Sequence, residues 1–428
     1  MNKLYVTCSI PGFCSVGECL FHAISLKYPL RSGHKIRYNG IDMARILIDA
    51  RWLKATGIGR YTENILLQLV ELKHDHELVL LVRPADLDDV PKPLRHLEIH
   101  TTDVLWYTPQ EQVILPRLIS KIKPDLVHFP QFNIPLQYRQ PFVVTIHDLT
   151  MLRFKNIKGG LLAPFTYTLK DVVMRHVLKT AIKRSRVIFT PSQFVRDDVV
   201  QQYRVPADKI LVTPNAADIP RLPDKIDLKH YGITGPFLLH VGNAYPNKNL
   251  VRAMHALGLI NQGREVPLQL VLVGKKDAFH IGLEKLRDKL KLKDSVILTD
   301  RVSDNELVGL YRAASLYLLP SLSEGFGIPG LEAMSYDLPV VSSNASCLPE
   351  VFGDAVEYFD PKDEADMARA VTLVLDDPKR QKALMALGKK RVAQYSWRES
   401  AKTVLEGYDQ ALKSLTSPNP INRLLGRS

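Results

Sequence analysis

Short apolar runs alternate with helix-length segments along this chain, and the alternation occurs twice. After an opening run, Met43-Ala-Arg-Ile-Leu-Ile-Asp49, the first half carries Leu78-Val-Leu-Leu-Val82, Leu126-Val-His-Phe129, Phe142-Val-Val-Thr-Ile146 and Val187-Ile-Phe-Thr190. The second half carries Phe237-Leu-Leu-His-Val241, Leu268-Gln-Leu-Val-Leu-Val-Gly274, Val296-Ile-Leu298 and Leu316-Tyr-Leu-Leu319. A strand that is apolar on both faces must be covered on both faces, and the intervening helices supply that cover. The pattern predicts an α/β protein with two parallel, doubly wound sheets. Ligands of such sheets bind beyond the C-terminal ends of the strands. Polar and glycine-rich residues just after the runs are therefore the functional candidates.

The same pattern sets the expected boundaries: a first domain over residues 43–218, a proline-rich linker over 219–236, a second domain over 237–396, a helix over 397–413 and a loose tail over 414–428. Residues 1–42 show neither period and read as an N-terminal extension. Pro11, Gly12, Gly17 and Glu18 interrupt the apolar core that a secretory signal would need there. Met43 is expected to be the natural start, or the extension to be dispensable. Cys8, Cys14 and Cys19 lie in that extension without C-x-x-C spacing, and Cys347 stands far away, so free thiols in a reducing compartment are expected. A zinc site with His22 or His34 is the less favoured reading. No apolar run approaches the roughly 18 residues that span a bilayer. The net charge of +12 suits anionic company, either sugar nucleotides or a phospholipid surface. The basic residues are dispersed and no nucleic-acid module is present, which argues against nucleic acid.

One stretch carries chemistry: Ser321-Leu-Ser-Glu-Gly-Phe-Gly-Ile-Pro-Gly-Leu-Glu-Ala-Met334, which follows an apolar run and leads into a helix expected to start at Leu331. Gly325, Gly327 and Gly330 let the backbone approach a ligand, Pro329 suits helix entry, and the first-turn N–H groups make an anion cradle. Glu324 and Glu332 flank it with seven residues between them. Carboxylates beside an anion site accept hydrogen bonds from hydroxyls, and hydroxyls together with phosphate describe a sugar nucleotide. The same residues would also suit a plain turn in which Glu332 favours the helix N-terminus. In the first half, His147 and Asp148 directly follow a strand run and face the expected cleft.

From Ser321 through Leu338-Pro-Val-Val-Ser-Ser-Asn344 to Glu350, the sequence resembles the donor-binding segment of the retaining glycosyltransferases of family four. The resemblance extends over about residues 43–412. It implies the GT-B fold, two Rossmann-like doubly wound domains facing a cleft, with the helix at 397–413 crossing back to the first domain. It places Glu324 beside the donor sugar and Glu332 on the ribose hydroxyls, with Gly325, Phe326, Gly327, Ile328, Pro329 and Leu331 completing the donor loop. It puts Lys248 on the donor diphosphate with Gly242 and Asn243 alongside, and Val302 near the base. His147 falls beside the reacting sugar with Asp148 next to it. The loop of Gly57, Ile58, Gly59 and Arg60 falls at the phosphate or the acceptor. Asn243 stands where many members have Arg, and Asn215-Ala216 where Asn-Gly is usual.

Asp86-Leu-Asp88 has the D-x-D spacing of metal-dependent glycosyltransferases of another fold, but its Pro-flanked polar surroundings read as a solvated loop. Leaving-group charge then falls to Lys248 and the loop amides, so the expectation is no metal and no cofactor beyond the sugar-nucleotide co-substrate. The segment 161–186, with Lys170, Arg175, Lys179, Lys183, Arg184 and Arg186 against Asp171, suits either an anionic membrane surface or a solvated basic face. Together these readings describe a cytoplasmic hexosyltransferase, peripheral on the membrane's cytoplasmic face. It would move mannose from GDP-mannose, or a sugar from UDP-glucose or UDP-GlcNAc, to a polysaccharide or lipid-linked acceptor. The competing classes are a sugar-nucleotide epimerase, an inactive nucleotide-binding scaffold and, since neither half carries G-x-G-x-x-G, more distantly a redox enzyme.

Overall fold

A computed structural model of the chain describes residues 37–38, 41–154, 163–217 and 226–416. Most of the N-terminal extension, residues 218–225 at the start of the linker and residues 417–428 of the tail lie outside the described residues. Within the extension, Arg37–Tyr38 and Ile41–Asp42 pair antiparallel.

From Met43 onward the chain forms two all-parallel sheets. The first comprises β1 (Arg45–Asp49), β2 (Glu77–Val82), β3 (Glu98–Thr101), β4 (Leu126–Phe129), β5 (Phe142–Thr145), β6 (Ile188–Thr190) and β7 (Ile210–Val212), in the order β3-β2-β1-β4-β5-β6-β7. The second comprises β8 (Phe237–Val241), β9 (Gln269–Val273), β10 (Val296–Thr299), β11 (Leu316–Leu319), β12 (Val340–Ser343) and β13 (Glu357–Phe359), in the order β10-β9-β8-β11-β12-β13. The expected fold class is therefore found in both halves. In each sheet the strand order reverses beside the first strand, between β1 and β4 and between β8 and β11. Loops leaving those strands diverge there and open a crevice.

Helices cover both faces of each sheet. On one face of the first sheet, Thr56–Glu71 contributes Ile65 and Leu69 to a core with Ile46, Ile48 and Leu80, and the last helix, Trp397–Thr416, adds Val404 and Tyr408. That last helix follows the second sheet in sequence and docks on the first in space. Tyr408 Oη lies 2.7 Å from His128 Nδ1, and a side chain at Gly407 would strike the Phe189 ring at 2.5 Å. Pro109–Ile122, Ala163–Arg184 and Gln193–Tyr203 cover the opposite face. The second sheet lies between Leu250–Ile260 with Glu364–Asp376 and Ile328–Ser335 with Leu348–Phe352.

The Asp86-Leu-Asp88 loop is not solvated throughout. The stretch coils into successive 3-10 turns, Pro84–Asp86 and Lys92–Leu94, and the buried Val90 and Leu94 draw it onto the core. Asp86 is consequently buried while Asp88 remains exposed. Among the described residues no three His, Cys, Asp or Glu side chains gather as a metal set, and no helix is long and apolar enough to cross a membrane.

Candidate active site

The donor-loop candidates leave β11 and enter the helix Ile328–Ser335. That helix begins three residues before the expected Leu331, because Gly327 (φ 93°) turns the chain in the left-handed region and Pro329 presets the first turn. Glu332 thus lies beyond the first turn, where the helix dipole has little hold on it. Its carboxylate is nearly buried, accepts a 2.9 Å bond from Tyr311 Oη and forms an ion pair with Arg60 of the first domain. The glycines also have internal reasons for being glycines. A Cβ at Gly330 would lie 2.4 Å from the Phe352 ring, one at Gly327 2.9 Å from Leu348, and one at Gly325 2.0 Å from the His147 carbonyl oxygen across the cleft. The close approach the sequence implies is therefore, in this structure, to other parts of the protein.

Glu324 is bound to Lys248, with Nζ 2.6 Å from Oε1, and Ser321 Oγ donates to the same oxygen at 2.6 Å. Lys248 ends the 3-10 turn Pro246–Lys248 after β8. That turn is laced to the β11 loop: Leu322 N donates to Asn247 O (2.7 Å), Asn247 Nδ2 to Ser323 O (3.0 Å) and Asn249 Nδ2 to Pro320 O (3.0 Å). The carboxylate and the ammonium are thus fixed by neighbouring strands of one sheet. Asn243 Oδ1 accepts from Lys275 N (3.3 Å), which ties the Gly242 turn to the loop after β9. Gly274 would strike Gly242 O at 2.3 Å if it carried a Cβ. Val302 is half-buried in the apolar cluster with Ile297 and Leu307.

In the first domain His147 follows β5. Its Nε2 lies 2.8 Å from the Pro130 carbonyl, which only accepts, so Nε2 carries the proton. Burial pushes the imidazole pKa down and keeps it neutral near pH 7, and its ring stands edge-on to Tyr61 at 4.9 Å. Asp148 Oδ1 accepts from Thr150 N (2.8 Å). The stretch Gly57-Ile-Gly-Arg60 is not the loop that the resemblance implies. It is the opening turn of the helix Thr56–Glu71, because Gly59 lets that turn press against the preceding chain, where a Cβ would lie 2.4 Å from Leu53 O. Nothing lies within 4 Å of a Cβ at Gly57.

Small polar contacts close the seam between the sheets. Ser192 Oγ donates to Gly325 O (2.8 Å), Thr150 Oγ1 meets Ser323 Oγ (3.1 Å), and Glu350 accepts from Gln193 N (2.7 Å) and Phe194 N (2.8 Å). The seam brings His147 and Asp148 to Gly325, and Arg60 to Glu332. Beside the Arg60–Glu332 pair opens a cavity of about 420 Å³, lined by both domains through Arg60, Glu63, Asn64, Asp304, Tyr311 and Glu332. Sequence reasoning missed Tyr311, whose only signal is its place on an amphipathic helix. It also missed His240, which sits inside an apolar run and is buried beside Lys248.

Residues 55–221 match the model for glycosyltransferase family 4, and residues 227–391 match that for glycosyl transferases group 1. The chain is 27% identical to O-antigen chain mannosyltransferase B of Escherichia coli, over 82% of this chain and 96% of that protein. It is 26% identical to the serotype-specific mannosyltransferase WbdA of Escherichia coli, over 86% of this chain but only about half (48%) of that longer protein. Among solved structures, sucrose-phosphate synthase of Thermosynechococcus elongatus superposes with a TM-score of 0.67 at 19% identity, covering 87% of this chain and 100% of that one.

Proposed function

The chain belongs to the group 1 and family 4 glycosyltransferases, has their GT-B fold and is a hexosyltransferase, and on that premise we propose that it moves mannose from GDP-mannose to a glycan hydroxyl with retention at the anomeric carbon. The observation that carries the chemistry is the Lys248–Glu324 pair at 2.6 Å, set where the strand order of the second sheet reverses. In this reading Lys248 meets the charge that accumulates on the departing nucleoside diphosphate, and the loop amides assist it, without metal. Glu324 stands beside the donor sugar and Glu332 accepts the ribose hydroxyls through charge-assisted bonds. His147, neutral and fixed by Pro130, lies at the reacting sugar with Asp148 beside it. Mannose is favoured by the names of the similar proteins, both mannosyltransferases. The O-antigen chain in the name of the first supports a growing polysaccharide or lipid-linked oligosaccharide as acceptor.

The helix Ala163–Arg184 supports a peripheral place on the cytoplasmic face of a membrane. Val172 and Val173 are 58% and 51% exposed, and Lys170, Arg175 and Lys179 are exposed around them. A donor panel tests the reading: GDP-mannose, UDP-glucose and UDP-GlcNAc, each with EDTA and then with Mg²⁺, followed by thermal shift and by NMR of the product anomer. Turnover of GDP-mannose in EDTA with a retained anomer is the expected result. Turnover of a UDP-sugar instead would replace the donor, and turnover that appears only with Mg²⁺ would refute metal independence. Stabilisation by nucleotide without turnover would favour the scaffold.

A further inference from the structure

His240 is the fourth residue of β8 and is 1% exposed. Its Nδ1 lies 3.0 Å from the Leu318 carbonyl on β11. A carbonyl only accepts, so Nδ1 carries the proton and Nε2 presents a lone pair. Burial lowers the pKa to about 4, which keeps the ring neutral. No described residue bonds to Nε2, although it is buried. A buried acceptor without a partner is rare enough to require an explanation.

Gly242 supplies the direction. A side chain at that position would begin 3.4 Å from His240 Nε2, 3.7 Å from Lys248 Cε and 4.0 Å from Lys248 Nζ. The lone pair and the ammonium flank one gap, which stays open because residue 242 has no side chain. A lone pair repels phosphate oxygens, so His240 cannot hold the donor diphosphate itself. What it can hold is the cation beside it.

We infer that His240 is a positioning residue for Lys248: when the donor diphosphate binds, its Nε2 takes one ammonium N–H across the gap beside Gly242 while Glu324 keeps a second, so that the third points at the diphosphate. The inference rests on the leaving-group role proposed above for Lys248. An ammonium has three donors on a flexible stem, and fixing two of them defines the direction of the third. Orientation of that kind raises turnover more than ground-state affinity when the charge it meets grows in the transition state.

The test uses the full chain and the sugar nucleotide it turns over. Four variants are compared with wild type: H240F, which keeps the ring and removes both nitrogens, H240Q, whose amide oxygen can take the Nε2 position, K248M and H240F/K248M. H240F is expected to lower kcat about ten-fold, the loss typical of a hydrogen bond to a charged group, with donor KM within about two-fold. H240Q should restore most of that loss, and H240F should cost nothing further on the K248M background. Unchanged kcat in H240F, or losses that multiply in the double variant, would overturn the inference. Should H240F fail to fold, ¹⁵N-histidine NMR of the wild type serves instead. Adding the nucleoside diphosphate that stabilises the chain should move the His240 Nε2 resonance toward hydrogen-bonded values, and K248M should abolish the movement; an unmoved resonance sinks the proposal. Absence of turnover with every sugar nucleotide would count against the glycosyl-transfer reading, while the NMR result stands on its own.

Discussion

Two substitutions at Glu332 separate its structural duty from its donor duty. In the structure its Oε2 accepts the Tyr311 hydroxyl at 2.9 Å and its Oε1 meets Arg60. Tyr311 is buried, and among the described residues its other contact at hydrogen-bonding distance is the Pro329 carbonyl at 3.4 Å. E332A leaves that hydroxyl nearly unpaired, which costs about 1–3 kcal/mol. Arg60, with a third of its side chain exposed (34%), rehydrates and adds little. E332Q keeps an oxygen for Tyr311 and should remain close to wild type in stability.

Donor affinity should divide differently. Both variants lose the charge that would strengthen bonds to ribose hydroxyls, a loss of about 1.5–3 kcal/mol, or roughly ten- to a hundred-fold in Kd. Calorimetric titration with GDP gives the affinities and urea unfolding gives the stabilities. The expected pattern is E332A weak on both counts and E332Q weak in binding alone. GDP binding by E332Q as tight as wild type would remove Glu332 from the donor site. Equal destabilisation by the two variants would show that the Arg60 pair, rather than the Tyr311 bond, is what Glu332 contributes to the fold.

The glycines of the first helical turn should part company in urea unfolding. G57A, with nothing within 4 Å of the new methyl, should gain up to about 1 kcal/mol from helix propensity, whereas G59A, whose methyl would sit 2.4 Å from Leu53 O, should lose about 1–3 kcal/mol. Equal effects would refute the packing account of Gly59. Stability should also fall in acid through His128 and His240, whose pKa values burial lowers to about 3 and about 4. The unfolded chain protonates both near pH 6.5 and the folded chain does not. Their stabilising contribution is therefore complete above that pH and declines by about 1.4 kcal/mol per pH unit per group as pH falls toward the folded values. H240F removes one of the two, so its stability relative to wild type should rise steadily from pH 7 to pH 5; a constant difference would contradict the buried neutral assignment.

The central strands were legible because they are apolar on both faces, and no other common element looks like Phe142-Val-Val-Thr145 or Leu316-Tyr-Leu-Leu319. The edge strands were not. Glu98-Ile-His-Thr101 and Glu357-Tyr-Phe359 are partly exposed and carry too few apolar residues to announce themselves. The opening of the helix at Thr56 was hidden by Gly57 and Gly59, whose poor helix propensity is overridden by docking against Leu53 and Trp52. At the site, the spacing of Glu324 and Glu332 and the setting of Lys248 mark them as polar residues beyond strand ends. Their partners could not be read in the same way. Arg60 lies 272 positions from Glu332, and His240 looks like one more residue of an apolar strand until the unpaired nitrogen is seen.

Placement and partnering therefore rest on different parts of the chain. His240 stands on β8, and Lys248 and Glu324 just beyond β8 and β11, adjacent strands whose buried registers tolerate little movement. The seam that brings Arg60, His147 and Asp148 to them combines small polar contacts with the Arg60–Glu332 ion pair and the packing of Phe194 on the second domain's core. Ser192 with Gly325, Thr150 with Ser323 and Glu350 with the first amides of Gln193–Tyr203 contribute on the order of 1 kcal/mol apiece. The Lys248–Glu324 pair is thus set within one domain, whereas the first-domain groups reach Glu332 and Gly325 only across the seam.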